Sequence, residues 1–417
     1  MYLTKFTFFI IFSIIRMKGG MFMFDIIGKY NSATVYAKTV DNESYSQVMA
    51  MCNIEELKDC KIKMMPDMHA AEGCTVGTSM TVGDKVNPSY VGSDIGCGMQ
   101  VYKFSNSKID FQALDHCIRT CIPSGASIHE KATSGINQFP LKELYCYDTI
   151  QHDIVARSFG TLGGGNHFIE IDKGIDEGFY LIIHSGSRRL GKDVANYYQK
   201  AAFFAVNGVS PEEAFKKKLK PTDIESKIQF GNCFLSGEYL EKYLHDMDIA
   251  VQYADLSRKQ MGETLITHLG LEVENSFTTI HNYINTDDRI LRKGAVSAKN
   301  DELLIIPINM RDGCLICKGK GNPEWNYTAP HGAGRMMKRS EAKVSISLEE
   351  YRAAMKGIFS TSIDESTIDE SPMAYRSIDD ILDVVEPSVE IIDISTPVYN
   401  FKASKGVIDE ETADGQD

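Results

Sequence analysis

Positive charge is scarce in this chain. Against 57 Asp and Glu stand 44 Lys and Arg, a formal net charge of −13 over 417 residues. That balance excludes a general basic coat for nucleic acid but leaves room for a local basic site on an acidic body. Long hydrophobic runs are missing too. The N-terminal run from Phe6 to Ile15 is about ten residues, against roughly 20 for a membrane-spanning helix, so no membrane partner is expected. The ten cysteines, at 52, 60, 74, 97, 117, 121, 146, 233, 314 and 317, follow no disulfide-framework spacing. No small-residue cleavage site follows the apolar run, and the cysteines read as reduced thiols of a cytoplasmic protein. No repeat, low-complexity block or Pro/Gly/Ser linker divides the chain.

What is present is the mixture of a large globular protein, 43% hydrophobic and 24% charged, long enough for one large core or two ordinary ones. Residues 1–22 read as an N-terminal extension outside the fold, such as a misassigned start would give, with an export signal as the alternative. Residues 23–406 read as one domain, and the acidic stretch 407–417 as a disordered tail. Strand-like runs at Phe179–His184, Ser276–Ile280 and Leu303–Ile308 end in polar, Gly-rich loops. Helical periodicity is clearest at Lys192–Val206, Tyr239–Leu269 and Leu348–Phe359. Without regular β-α alternation, the expected class is α+β, a single large domain with central β-sheets flanked by helices.

The most informative stretch is Val91-Gly-Ser-Asp-Ile-Gly-Cys-Gly-Met99, where Asp94 and Cys97 are two metal-ligand types in a glycine-rich turn. Taken alone it could equally be a turn with a buried cysteine. Five of the ten histidines, however, also sit in glycine- or asparagine-rich turns: His69, His167, His184, His281 and His331. Asp94, Cys97, His167, His184 and His281 together make a candidate dinuclear centre, the thiolate bridging two cations. Such a pair can clamp the attacking and departing oxygens of a phosphoryl transfer. Ligand softness alone favours zinc. Arg188 and Arg189, just before a helix, and the cluster Arg292-Lys293 are candidate RNA contacts, with Arg335, Lys338 and Arg339 a third basic group. The lone Cys314-x-x-Cys317 on an apparent strand reads as core.

The ordered set DMH (67–69), SDIGCGM (93–99), GGGNHFIE (163–170), HSGSRRLG (184–191), HN (281–282), RKGA (292–295) and PHGAGR (330–335) resembles the RtcB family of RNA-splicing ligases, from about residue 24 to Gly406. The resemblance implies that family's own α+β fold. It also implies the GTP-dependent joining of an RNA 2′,3′-cyclic phosphate or 3′-phosphate end to a 5′-hydroxyl end, in tRNA splicing or RNA repair. Two Mn²⁺ ions are implied, one on Asp94, Cys97 and His167 and one on Cys97, His184 and His281, overruling the zinc preference. His331 is implied as the nucleophile that carries GMP. Nucleotide contacts are implied at Asn166, His167, Phe168, Glu170, His281, Asn282, Asn309, Gly332, Ala333, Gly334, Arg335, Tyr375 and Lys405, with Glu170 on the guanine N–H edge. A monomer is expected, with an archease-type activator as a partner in reach. His-Ala-Ala-Glu-Gly at 69–73 departs from the family pattern, so His69 receives no role. The competing reading is a metal-dependent phosphoesterase acting on RNA cyclic phosphate ends, which would need the metals but not His331.

Overall fold

The computed structural model describes residues 14–18, 21–105, 108–137 and 139–403, with side chains from Met23 onward. Lys405 and the acidic stretch 407–417 lie outside the described residues. Two seven-stranded sheets carry the architecture, with two two-stranded sheets beside them. The first sheet runs Ile14–Lys18, Met21–Ile27, Ser32–Val35, Ile62–His69, Val76–Thr81, Ile290–Lys293 and Asn282–Asn285. The second runs Val273–Ile280, Gly98–Phe104, Phe179–Ser185, Phe168–Lys173, Val389–Lys402, Gly313–Gly319 and Leu303–Asn309. All pairings in both sheets are antiparallel save that of Ser32–Val35 with Ile62–His69. The boundary expected at residue 23 does not coincide with the sheet. Met21–Ile27 crosses it as one strand, and Ile14–Lys18 pairs with it as the edge.

The long helix Gly237–Leu269 joins the two halves. Its first part, through Leu240, Tyr243, Met247 and Tyr253, packs with helix Arg188–Val206 on residues of the first sheet such as Ile62, Met64 and Met80. Its last part, through Met261 and Leu265, packs with helix Phe111–Cys121 on Ile169, Ile171, Leu181 and Ile183 of the second sheet. Truncating one of these buried leucines to alanine costs about 2–5 kcal/mol. The helix ends where Gly270 turns left-handed at φ +61, a conformation glycine adopts without the Cβ penalty. Among the described residues no helix is long and apolar enough to cross a membrane.

The expected elements appear with shifted ends. Helix Leu348–Ala354 stops short of Phe359 because the chain turns at Met355 and Gly357 stands at φ +100. Cys314 and Cys317 are both buried in strand Gly313–Gly319, as a core reading requires.

Candidate active site

Register alone gathers the candidate ligands. Four neighbouring strands of the second sheet end on one edge. Gly98 pairs with both Ile280 and Ser185, and Phe168 pairs with His184. The residues at or just past those ends are His281, Cys97, His184 and His167. The ladder continues one step beyond the strands, since His281 N donates to Cys97 O at 2.9 Å. Arg258, fully buried on the long helix, locks the edge by donating from Nη1 to Gly96 O and Ser185 O, both at 2.8 Å. Its signal in the sequence was faint, a lone arginine in a helix whose apolar period was clear.

Two sets of donor atoms result, and they share one sulfur. Cys97, His184 and His281 form one and Asp94, Cys97 and His167 the other, with the ligand atoms of each within 4.8 Å of one another. Cys97 Sγ lies 3.2 Å from His184 Nε2 and 3.5 Å from His167 Nε2. His184 Nε2 is 3.3 Å from His281 Nε2, and His167 Nε2 is 3.4 Å from Asp94 Oδ2. Gly186 makes room for this packing, because a Cβ there would stand 2.0 Å from Asp94 Oδ1.

The rings are pre-set for coordination. His167 Nδ1 lies 2.8 Å from Leu162 O and His184 Nδ1 3.2 Å from Asn166 O. A carbonyl only accepts, so each ring donates from Nδ1 and keeps its lone pair on Nε2. Burial, then the neighbouring imidazoles, hold His184 well below the usual histidine range, and His281 likewise. Both rings are therefore neutral and able to ligate. Burial and then Asp94 push the Cys97 thiol well above its ordinary value, a cost that a bound cation would reverse. Buried lone pairs, a carboxylate and a thiol gathered within reach of one another fit a pair of divalent ions, with the Arg258 and Arg188 guanidinium groups the nearby positive charges.

His331 stands just past strand Thr328–Pro330, its ring centroid 5.0 Å from that of His281. Its Nδ1 donates to Asp67 Oδ2 at 2.7 Å, and its backbone N–H donates to the same oxygen at 3.2 Å. The carboxylate thus fixes the tautomer with the free lone pair on Nε2. Asp67 is 0% exposed. The sequence reading missed this residue although it lay inside the DMH motif, because 264 residues separate it from His331. His69, next along, lies against Asp67 O through Nδ1, and burial lowers it to about 4.

The expected nucleotide contacts divide. Asn166, Phe168, Arg335 and Tyr375 gather around a buried ion cluster. Arg335 Nη2 donates to Glu370 Oε1 at 2.6 Å and to Tyr375 Oη at 2.9 Å, and Tyr375 Oη donates to Glu370 Oε2 at 2.6 Å. Arg339 also pairs with Glu370 and Asp369. Lys402 Nζ reaches Glu370 Oε2 at 2.8 Å and Asn166 O at 3.4 Å, 5.2 Å from the Phe168 ring centroid. Glu370 and Lys402 were not among the expected residues. Glu370 lies in a polar stretch without a motif, and Lys402 continues an apolar strand. Burial would raise Glu370, but Lys402, Arg339 and Arg335 hold it well below the usual carboxylate range.

Glu170 is buried, with Asn400 and Cys314 on its two oxygens. Ala333 N donates to Pro307 O at 3.0 Å, which seats the Gly332-Ala333-Gly334 segment against strand Leu303–Asn309. Asn282 and Asn309 serve local structure. Asn282 Oδ1 accepts from Gly294 N, and Asn309 Oδ1 accepts from Arg311 N and Asp312 N in a turn.

The expected RNA contacts need correction. Arg292 is 0% exposed and donates to Thr328 Oγ1, Asn326 O and Tyr327 O. It is a core fastener and offers no group to RNA. Lys293 is buried against Glu72 O. Arg189 pairs with Asp193 at 2.8 Å. Arg188 opens its helix at φ +54 and donates to Gly125 O at 3.0 Å and Thr161 Oγ1 at 3.2 Å, bracing the glycine loop that leads to His167. The polar backbone of those loops draws in side chains that composition alone would place in solvent.

Comparison with known proteins follows the same pattern. The family model described as tRNA-splicing ligase RtcB matches residues 47–146 and 146–403. The chain is 29% identical over 369 residues to the RNA-splicing ligase RtcB of Escherichia coli strain K12, covering 79% of this chain and 87% of that protein. It is 23% identical over 404 residues to the RNA-splicing ligase RtcB2 of Escherichia coli strain ATCC 25922, covering 88% and 94%. With the tRNA-splicing ligase RtcB of Aeropyrum pernix it shares 26% identity over 419 residues, covering 77% and 83%.

Proposed function

The chain belongs to the RtcB family of RNA ligases, and from that membership and the site geometry we propose that it joins an RNA 2′,3′-cyclic phosphate or 3′-phosphate end to a 5′-hydroxyl end at the expense of GTP. The observation that carries the reading is the adjacency of two donor sets sharing Cys97 to a histidine already oriented by a buried carboxylate. Asp94, Cys97 and His167 would hold one Mn²⁺ and Cys97, His184 and His281 the other. When bound, the two ions would neutralise the triphosphate and polarise its α-phosphorus. Manganese is a proposal from the family. The donors themselves suit zinc as well.

His331 would act as the nucleophile. Asp67 keeps its proton on Nδ1, so the Nε2 lone pair can attack the α-phosphorus of GTP. An N–P bond forms, the α–β phosphoanhydride bond breaks, and pyrophosphate leaves. A cyclic end would first add water across its P–O2′ bond to give the 3′-phosphate. An oxygen of that 3′-phosphate would then take the guanylate, breaking the N–P bond and freeing His331. The 5′-hydroxyl oxygen would attack that phosphate, forming the phosphodiester and releasing GMP. Asn166, Phe168, Glu170 and Tyr375 would hold the nucleoside, and the Gly332-Ala333-Gly334 segment leaves room for it against the backbone. Lys405 and an archease-type activator belong to the same proposal, as do a monomeric state and a cytoplasmic location.

The test is incubation of the pure protein with labelled GTP and Mn²⁺. The expected result is a covalent guanylate stable to base, labile to acid and lost in His331→Ala. If no adduct forms while cyclic phosphate ends are still hydrolysed in His331→Ala, the protein is a phosphoesterase.

A further inference from the structure

Behind Glu170, one of the expected nucleoside contacts, lie two buried polar groups that the ligase reading leaves unused, Asp172 and Cys314. Glu170, Asp172 and Cys314 are all buried, with one ligand atom of each within 4.8 Å of the others. Cys314 Sγ lies 3.3 Å from Glu170 Oε1, and Asn400 Nδ2 donates to Glu170 Oε2 at 2.7 Å. Ser395 Oγ donates to Asp172 Oδ2 at 2.6 Å, while Asp172 Oδ1 has no hydrogen-bond partner. Asn400 is the register partner of Glu170 on the neighbouring strand, and Lys402 stands two residues further along it, opposite Phe168, with its Nζ on Glu370 Oε2 at 2.8 Å. On the other side the register partner of Glu170 is Ile182, which brings no charge. The ionisable groups acting on Glu170 are therefore Asp172 on its own strand, Cys314 on Gly313–Gly319 and Lys402 on Val389–Lys402.

Two carboxylates this close and this dry are costly to ionise together. Burial and then the Asp172 charge raise Glu170 well above the usual carboxyl range, against the hydrogen bonds of Cys314 and Asn400 and the charge of Lys402. Burial raises Asp172 as well, against the hydrogen bond from Ser395.

We propose that Asp172 and Lys402 are opposed positioning residues that set the protonation state of Glu170 and, through it, the nucleobase the site accepts. This rests on the reading that Glu170 faces the base. An ionised carboxylate accepts from the N1–H and N2–H of guanine. A neutral carboxyl group donates its proton to adenine N1 and accepts from adenine N6–H. GTP and ATP thus draw on different protonation states of one group, and the ratio of their reaction rates changes about tenfold per pH unit.

The experiment measures His331 nucleotidylation by labelled GTP and by labelled ATP, with Mn²⁺, from about pH 6 to about pH 8. The ratio cancels effects common to both nucleotides. In the wild type the GTP/ATP ratio should rise about tenfold per pH unit. Asp172→Asn should move it toward GTP by about tenfold at the lowest pH, Lys402→Met should move it toward ATP, and Lys402→Arg should restore it. A pH-independent ratio in the wild type, no ATP adduct at the lowest pH, or the same direction of change in both variants would overturn the proposal. Glu170→Gln separates the two layers. If it leaves the ratio untouched, Glu170 does not read the base and that part of the ligase reading fails with the proposal. If it abolishes discrimination while the wild-type ratio is flat with pH, only the present inference fails.

Discussion

Asp67→Asn isolates what the buried carboxylate does for the nucleophile. Asp67 Oδ2 accepts from both His331 Nδ1 and His331 N, at 2.7 and 3.2 Å. Asparagine is nearly isosteric and its carbonyl oxygen can keep both bonds, so the change removes the charge and sets an amide NH2 in the place of Oδ1, which has no partner; the thermal melt accounts for that second effect. A hydrogen bond to a charged group is worth about 1.5–3 kcal/mol and a neutral one about 0.5–1.5. The difference, about 1.4 kcal/mol if it is made fully in the transition state, predicts about a tenfold slower guanylylation. Asp67→Ala removes the whole bond and frees the ring to turn, so about 3 kcal/mol, or more than about a hundredfold, is expected. The assay is single-turnover adduct formation across GTP concentrations, with a thermal melt of each variant. Because Asp67 acts on the nucleophile, the loss should fall on the maximal rate and leave half-saturation by GTP unchanged. Asp67→Asn at the wild-type rate, or a loss confined to half-saturation, would refute the dyad.

Other changes separate the site from its frame. Cys97→Ala should abolish tight binding of both Mn²⁺ ions, since its sulfur belongs to both donor sets; in a calorimetric titration, two ions still bound tightly would remove the bridge. Arg292→Ala should lower folding stability by about 2–5 kcal/mol, because it empties a fully buried volume and removes the bonds to Thr328 Oγ1, Asn326 O and Tyr327 O. Denaturant unfolding checks this, and a stable variant with weakened RNA binding would return Arg292 to the RNA surface. Glu370→Gln bears on pH. The folded-state value of Glu370 is depressed, so its stabilisation is present above the unfolded value of about 4.3 and is lost as pH falls below it. Melting curves should therefore show the variant less stable than wild type at neutral pH, the gap closing below about pH 4; a gap that persists in acid would contradict the ion cluster.

The donor residues were legible in the sequence because each follows or precedes an apolar strand in a glycine-rich turn, and the strands that bear them are neighbours in one sheet. Cys97, His167, His184 and His281 meet through register, which a one-dimensional pattern of turns implies once the strands pair. Residues that act through distant partners were not legible. Asp67 finds His331, and Lys402 finds Glu370, across sequence gaps that no local period encodes. Basic residues misled for a related reason. Arg188 and Arg292 sit beside motif residues, and proximity in sequence suggested a ligand. The carbonyls of tight, buried loops were the stronger claimants, and both guanidinium groups went to them.

The most direct measurement follows one phosphate. An RNA labelled at its 3′-phosphate is incubated with a 5′-hydroxyl RNA, GTP, Mn²⁺ and the protein. If His331 passes guanylate to that end and the 5′-hydroxyl then attacks it, the labelled phosphate becomes the junction. It should then appear in a longer RNA, resistant to phosphatase, with one GMP released per join. Label released as inorganic phosphate, or a junction formed without GTP, would contradict the account.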